Sequence, residues 1–156
     1  MTLPSRMQRY FIELAYMGTN YAGFQTQQNA NSVQQEVEKA LHTYFRTPLE
    51  CTCSSRTDAG VHALCNYFHF DAEFDLPDDA ARRAVYHLNA ILPADIVVKK
   101  IVPVAGGLHA RFDAQWREYR YYISRRKDPF HRDRSYFYPY ALDMERLQAA
   151  ASLLAG

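Results

Sequence analysis

The chain is short of everything that would staple it, anchor it or keep it unfolded. Its three cysteines, Cys51, Cys53 and Cys65, are an odd number and supply no disulfide framework. No run of apolar residues is long enough to suggest a membrane span, and Met1 to Arg9 lacks the apolar core of a signal peptide. These absences lead us to expect a soluble, cytoplasmic protein. Net charge is also scarce, at +1 over 156 residues. A 48% hydrophobic fraction argues against disorder and allows a packed core, for one domain or one domain with part of another. There is a single tryptophan against 12 tyrosines and 9 phenylalanines, so aromatic surface is ample for a core and for a stacking platform.

The near-neutral total hides an asymmetry. Between Arg111 and Arg134 there are eight Arg or Lys against four Asp or Glu, a local +4 that leaves −3 on the remainder. Arginines interleaved there with Tyr119, Tyr121, Tyr122, Phe130, Tyr136 and Phe137 suit combined phosphate contact and base stacking. A solvated strand face and a charged loop would have the same composition.

Periodicity gives an element order. Arg9 to Met17 alternates and reads as a strand, and Gly18 to Asn31 reads as an extended loop. Ser32 is an N-cap with Gln35 in the capping-box position, opening a helix that buries Val33, Val37, Ala40, Leu41, Tyr44 and Phe45 and ends at Pro48. Strands at 49–54 and 64–71 follow, then a helix from Asp78 or Asp79 to about Ile91, then a β-branched strand over 96–104. This βαββαβ order predicts an α+β, ferredoxin-like (RRM-like) antiparallel sheet with both helices on one face. Gly106-Gly107 marks a boundary: residues 1–107 form the first domain, and 108–156 begin a second, incomplete unit with a strand over 117–124 and a helix over 143–154. A lone strand and helix leave their apolar faces uncovered.

The chemistry concentrates in the loop between the second and third strands. Ser54-Ser55-Arg56-Thr57-Asp58-Ala59-Gly60-Val61-His62 places a guanidinium and a carboxylate two positions apart, more polar chemistry than turning requires. A carboxylate beside a guanidinium stays ionised, which suits an electrostatic or nucleophilic role. A surface ion pair on an Asp-Ala-Gly turn is the plain alternative. Cys51, Cys53, His62 and Cys65 invite a zinc site, but C-x-C on a strand has no second tight ligand pair, so no metal is expected.

Read whole, Arg56-Thr57-Asp58-Ala59-Gly60-Val61-His62 resembles the signature of the TruA family of tRNA pseudouridine synthases. Tyr16-Met17-Gly18-Thr19-Asn20-Tyr21-Ala22-Gly23-Phe24-Gln25-Thr26-Gln27 is similar to that family's early Tyr-Asp-Gly-Thr…Tyr…Gly-Trp-Gln…Gln segment, with Met17 for Asp and Phe24 for Trp. Ser55 stands where glycine is common. Val33-Gln34, Asn89-Ala90-Ile91-Leu92-Pro93, His109-Ala110-Arg111-Phe112 and Tyr119-Arg120-Tyr121 follow in the family's order. The family's C-terminal basic residue, which meets the catalytic carboxylate, has no counterpart in this sequence.

The resemblance implies isomerisation of uridine to pseudouridine on the 3′ side of the tRNA anticodon stem-loop, without a cofactor, by a homodimer. It makes Asp58 catalytic, acting on the pyrimidine ring or at the sugar C1′. It gives Arg56 the flipped-out state and Tyr119 a stacking role on the uracil. On pattern alone, the plain alternatives are a strand core residue for Tyr119, the lesser reading, and an orienter of Asp58 for Arg56. His62 reads as a structural hydrogen-bonding residue. Gln25, Arg111, Arg117 and Arg120 are candidate RNA contacts, while Gln25 and Gln27 also suit loop amides. The isolated 156-residue chain is expected to bind tRNA weakly and turn over little. A non-catalytic RNA-binding module is the alternative function. A hydrolase using Asp58 with Asp71 or Asp75 ranks last, because neither spacing suggests a paired acid or a metal pair.

Overall fold

The computed structural model describes residues 7–154, so the readings made at residues 1–6 and at Ala155-Gly156 lie outside the described residues. Contacts divide the chain into two units, meeting between Arg117 and Glu118. The first unit thus runs past the Gly106-Gly107 turn, because Leu108 and Ala110 hydrogen-bond to Arg9 and His69 on the sheet. No described helix is long and apolar enough to cross a membrane.

The first unit is an antiparallel sheet in the order β2-β3-β1-β4, built from β1 (Gln8–Tyr16), β2 (Thr52–Cys53), β3 (Ala63–Ala72) and β4 (Ile96–Val104). With α1 (Val33–Phe45) and α2 (Asp78–Ile91) as crossovers, this is the ferredoxin-like βαββαβ arrangement. Alternation along β1 sends Tyr10, Ile12, Leu14 and Tyr16 into a core closed by Val33, Val37, Ala40 and Leu41 of α1 and Ala81, Ala84 and Leu88 of α2. Both helices therefore cover the same face. Tyr44 and Phe45 pack at the core margin and are only half-buried.

Local chemistry sets the boundaries. Ser32 caps α1, its hydroxyl oxygen accepting from the Gln35 amide at 3.2 Å. The helix ends at Arg46, left-handed at φ 58°, two positions before Pro48. The expected strand over 49–54 shortens to Thr52–Cys53 because α1 captures its backbone: the Cys51 amide donates to Glu38 at 2.9 Å, and the Cys51 carbonyl accepts from Gln34 at 3.0 Å. Pro77 occupies the N-cap of α2, with Asp78 and Asp79 in the first turn, where the helix dipole favours negative charge. Asn89 pins the last turn of α2 to β4 through both backbone groups of Val98.

The second unit holds β5 (Ile123–Ser124), β6 (Tyr136–Phe137) and α3 (Met144–Leu154). β5 and β6 pair in parallel. The strand expected over 117–124 is thus only its last two residues, because 118–121 pair with no strand among the described residues and Tyr122 offers β6 only its carbonyl, accepting the Tyr136 amide at 2.7 Å. No described residue from 118 to 154 is buried.

Candidate active-site loop

Asp58 sits in the loop between β2 and β3, and its side chain is exposed, as is that of Arg56. Thr57, between them, turns the other way, its hydroxyl 2.8 Å from the Tyr16 hydroxyl. Among the described residues no ion pair joins Arg56 to Asp58. Instead the positive charge of Arg56 acts on the Cys53 thiol. Burial pushes that thiol up, and Arg56 and Arg111 partly offset the rise. The ionic partnership read from the two-residue spacing is therefore absent.

The loop backbone is fixed almost continuously. The Ser54 amide donates to the Tyr67 carbonyl at 2.7 Å, and the Ser54 hydroxyl to Asn66 Oδ1 at 2.9 Å. Asn66 is buried and donates through Nδ2 to the Ser55 carbonyl at 3.0 Å and to the Tyr16 hydroxyl at 3.2 Å. The Asp58 carbonyl accepts from the Val61 amide at 3.2 Å, closing a four-residue turn whose third residue, Gly60, has φ +77°. That conformation is open to glycine at little cost.

A second loop, 17–24, zips onto the first. The Phe24 amide donates to the Thr57 carbonyl at 3.0 Å, and the Gly60 amide to the Tyr21 carbonyl at 3.2 Å. The Gly18 amide donates to His62 Nδ1 at 2.9 Å, so His62 makes the structural hydrogen bond its position suggested. The approach is close enough to require glycine. A Cβ at Gly18 would lie 2.1 Å from the Val61 carbonyl oxygen, and one at Gly23, already at φ +101°, would lie 2.9 Å from that of Thr57. The 17–24 loop is anchored in turn by Asp95, which accepts from the Tyr21 hydroxyl at 2.6 Å and from Asn20 at 3.1 Å. Burial and that carboxylate raise the Tyr21 phenol.

The two zipped loops are the segments whose residues resembled one family, and the family model described as tRNA pseudouridine synthase matches residues 14–113, spanning both. The chain belongs to that family. Similar curated proteins include the tRNA pseudouridine synthase A of Porphyromonas gingivalis, 48% identical over 148 residues, covering 95% of this chain and 58% of the relative. Those of Parabacteroides distasonis (46% identical, 95% and 58% covered) and Staphylococcus aureus strain RF122 (41% identical, 95% and 55% covered) are comparable. The chain spans little more than half the length of these relatives.

Other candidate residues of this pseudouridine synthase family chain are placed as follows. Gln25 is exposed beside the zipped loops, while Gln27 donates to the Ala22 carbonyl at 2.9 Å, satisfying its own loop. Arg111 is exposed over the Phe112 ring at 5.9 Å. Arg117 donates to the Ser54 and Arg111 carbonyls at 2.8 and 3.1 Å. In the second unit, Tyr119 is 61% exposed and Arg120 pairs with Glu118.

Sequence reading missed Asn66, which ties Ser54, Ser55 and Tyr16 together. Its signal was a lone amide in an otherwise aromatic and apolar strand, at a position that faces the core. It also missed buried His69, which accepts the Ala110 amide at 3.2 Å through Nδ1 beside the Arg9–Asp71 pair. Cys51 and Cys53 are core thiols, and Cys65 lies exposed with its thiol donating to Glu13 at 3.6 Å.

Proposed function

We propose that this chain carries the aspartate-bearing domain of an enzyme that isomerises uridine to pseudouridine on the 3′ side of the tRNA anticodon stem-loop, with Asp58 as the catalytic carboxylate. The observation that carries the reading is an exposed carboxylate on a backbone held from both sides. Preorganisation of this kind lets a charged group act without reorganising during the reaction.

The reaction balances without a cofactor. The N1–C1′ bond breaks, the base turns, and C5 bonds to C1′. C5 gives up its proton and N1 gains one. Asp58 serves as a nucleophile at the ring or at C1′, or stabilises positive charge developing at C1′. Reaching the base requires flipping it from its stack, at roughly a few kcal/mol. Arg56, exposed two residues away, suits the space the base vacates, and Tyr119 suits stacking on the uracil. Gln25, Arg111 and Arg120 serve as contacts to the RNA backbone. Work on tRNA implies a cytoplasmic protein, and we infer a homodimer in which residues 108–156 open a second ferredoxin-like unit. The isolated chain should turn over little.

The deciding experiment extends the chain with the C-terminal remainder of the Porphyromonas gingivalis relative and assays pseudouridine in anticodon stem-loop RNA. Asp58→Asn keeps shape and removes charge. It should abolish product while leaving tRNA affinity within roughly tenfold, about 1.4 kcal/mol. Wild-type turnover by that variant would overturn the role of Asp58, and tRNA binding without any product by the unsubstituted extended chain would favour a non-catalytic RNA-binding module.

A further inference from the structure

We infer that Arg117 is a positioning residue for the Asp58 loop, the end of a strap that ties the loop's root to the sheet. The inference rests on the reading of Asp58 as catalytic. It also removes Arg117 from the candidate phosphate contacts.

The strap begins where Arg9, paired with Asp71 at 2.7 Å, donates to the Leu108 carbonyl at 2.8 Å. It is held next by the Ala110 amide on His69 Nδ1, with Ala110 itself buried. The His109 ring packs edge-on against His69, 4.7 Å between centroids, and lies tilted by 31° against Phe112 at 4.3 Å. A tight turn follows, in which the Asp113 carboxylate accepts the His109 amide at 2.6 Å and the Asp113 amide returns to the His109 carbonyl at 3.0 Å. The chain then comes back through Arg117, whose Nη2 donates to two carbonyls at once, those of Arg111 and Ser54. Ser54 is the first residue of the loop that carries Asp58. Its amide and hydroxyl are taken by Tyr67 and Asn66, and Arg117 takes its carbonyl.

A guanidinium suits this work because the two N–H bonds of Nη2 lie in fixed directions within a rigid plane, whereas a lysine acts as a compact, rotating point charge on a shorter stem. A phosphate contact would tolerate Arg117→Lys. A planar terminal NH2 group held against two carbonyls at once would not, because the ammonium on lysine's shorter stem cannot set its donors in that plane.

Two measurements test the inference. In the 156-residue chain, hydrogen exchange of Arg117→Ala should show amides of residues 54–62 exchanging on the order of tenfold faster, with α1 and the centre of β3 unchanged. Unchanged protection of that loop would overturn the clamp. In the extended enzyme, Arg117→Ala and Arg117→Lys should both lower kcat by on the order of 10- to 100-fold, with tRNA Kd within about twofold and an unaltered salt slope. Added guanidinium ion should restore part of the lost kcat to Arg117→Ala, which a fold merely weakened would not show. An unchanged kcat with weaker binding, and a salt slope shallower by about one, would make Arg117 a phosphate contact and sink the inference. If the wild-type extended enzyme makes no pseudouridine, the functional reading fails, and the exchange measurement still decides the clamp.

Discussion

Helices α1 and α3 are both amphipathic, yet α1 buries Val33, Val37, Ala40 and Leu41 while α3 buries none of its residues. The contrast extends to their units. Residues 7–117 enclose a core of two helices on a four-stranded sheet, and residues 118–154 expose Tyr121, Phe130, Leu153 and Leu154 almost fully. The pattern along a segment specifies which element forms. Burial depends on surfaces that the segment does not contain.

The largest expected effect tests that contrast directly. Phe68 is wholly buried, and Phe68→Ala should cost about 3–5 kcal/mol in urea denaturation. Phe130 is 81% exposed, and Phe130→Ala should stay within about 0.5 kcal/mol. Equal losses would mean that the second unit carries a core of its own.

The next test compares two glycines. Gly18→Ala drives a methyl against the Val61 carbonyl and should cost about 1–3 kcal/mol by thermal unfolding, while displacing the Asp58 loop. Gly106→Ala meets nothing within 4 Å and should be nearly silent. If Gly18→Ala is tolerated as well as Gly106→Ala, the two loops are not zipped in solution.

The smallest effect is a pH slope. Burial lowers the His69 pKa from 6.5, and the neighbouring Arg9 and His109 lower it further, while Asp71 opposes them. Below about pH 6.5 the unfolded chain takes up a proton that the native His69 refuses, so stability falls as pH drops from 7 until His69 titrates in the fold. The Asp71 carboxyl, held down mainly by its hydrogen bond from Arg9, contributes a separate loss at more acid pH, beginning near 3.8. His69→Gln should flatten the dependence of Tm on pH between 7 and 5. An unchanged slope would show that other groups set it.

Most of the sheet and both of its helices were legible in the sequence, because alternation, the Ser32 cap and the β-branched run at 96–104 are local signals. The misread edges were set by distant partners. Glu38 and Gln34 take the backbone of Cys51 and shorten β2. At 118–121 no partner strand appears among the described residues. The site shows the same division. The Asp58 loop announced itself by its density of polar groups, but its missing ion pair with Arg56 did not. Neither did the zipper through Gly18 and Gly23, nor the role of Asn66, since each depends on residues tens of positions away. Asn66 and His69 were visible only as polar interruptions of an aromatic strand.

The central position of β1 has a consequence for how the chain acquires its shape. β1 is flanked by β3 and β4, so its first ladder waits for residue 72 and its second for residue 104. At roughly 5–20 residues per second, a strand completed at Tyr16 would wait on the order of 4–18 s for its last neighbour to be synthesised. Until residue 72 neither edge of β1 has a partner, until residue 104 one edge still lacks its own, and pairings this distant in sequence form slowly. Nascent β1 is therefore the segment on which a ribosome-associated chaperone would act first, and a pause in translation before Ile96 would prolong the vulnerable state more than one after Val104.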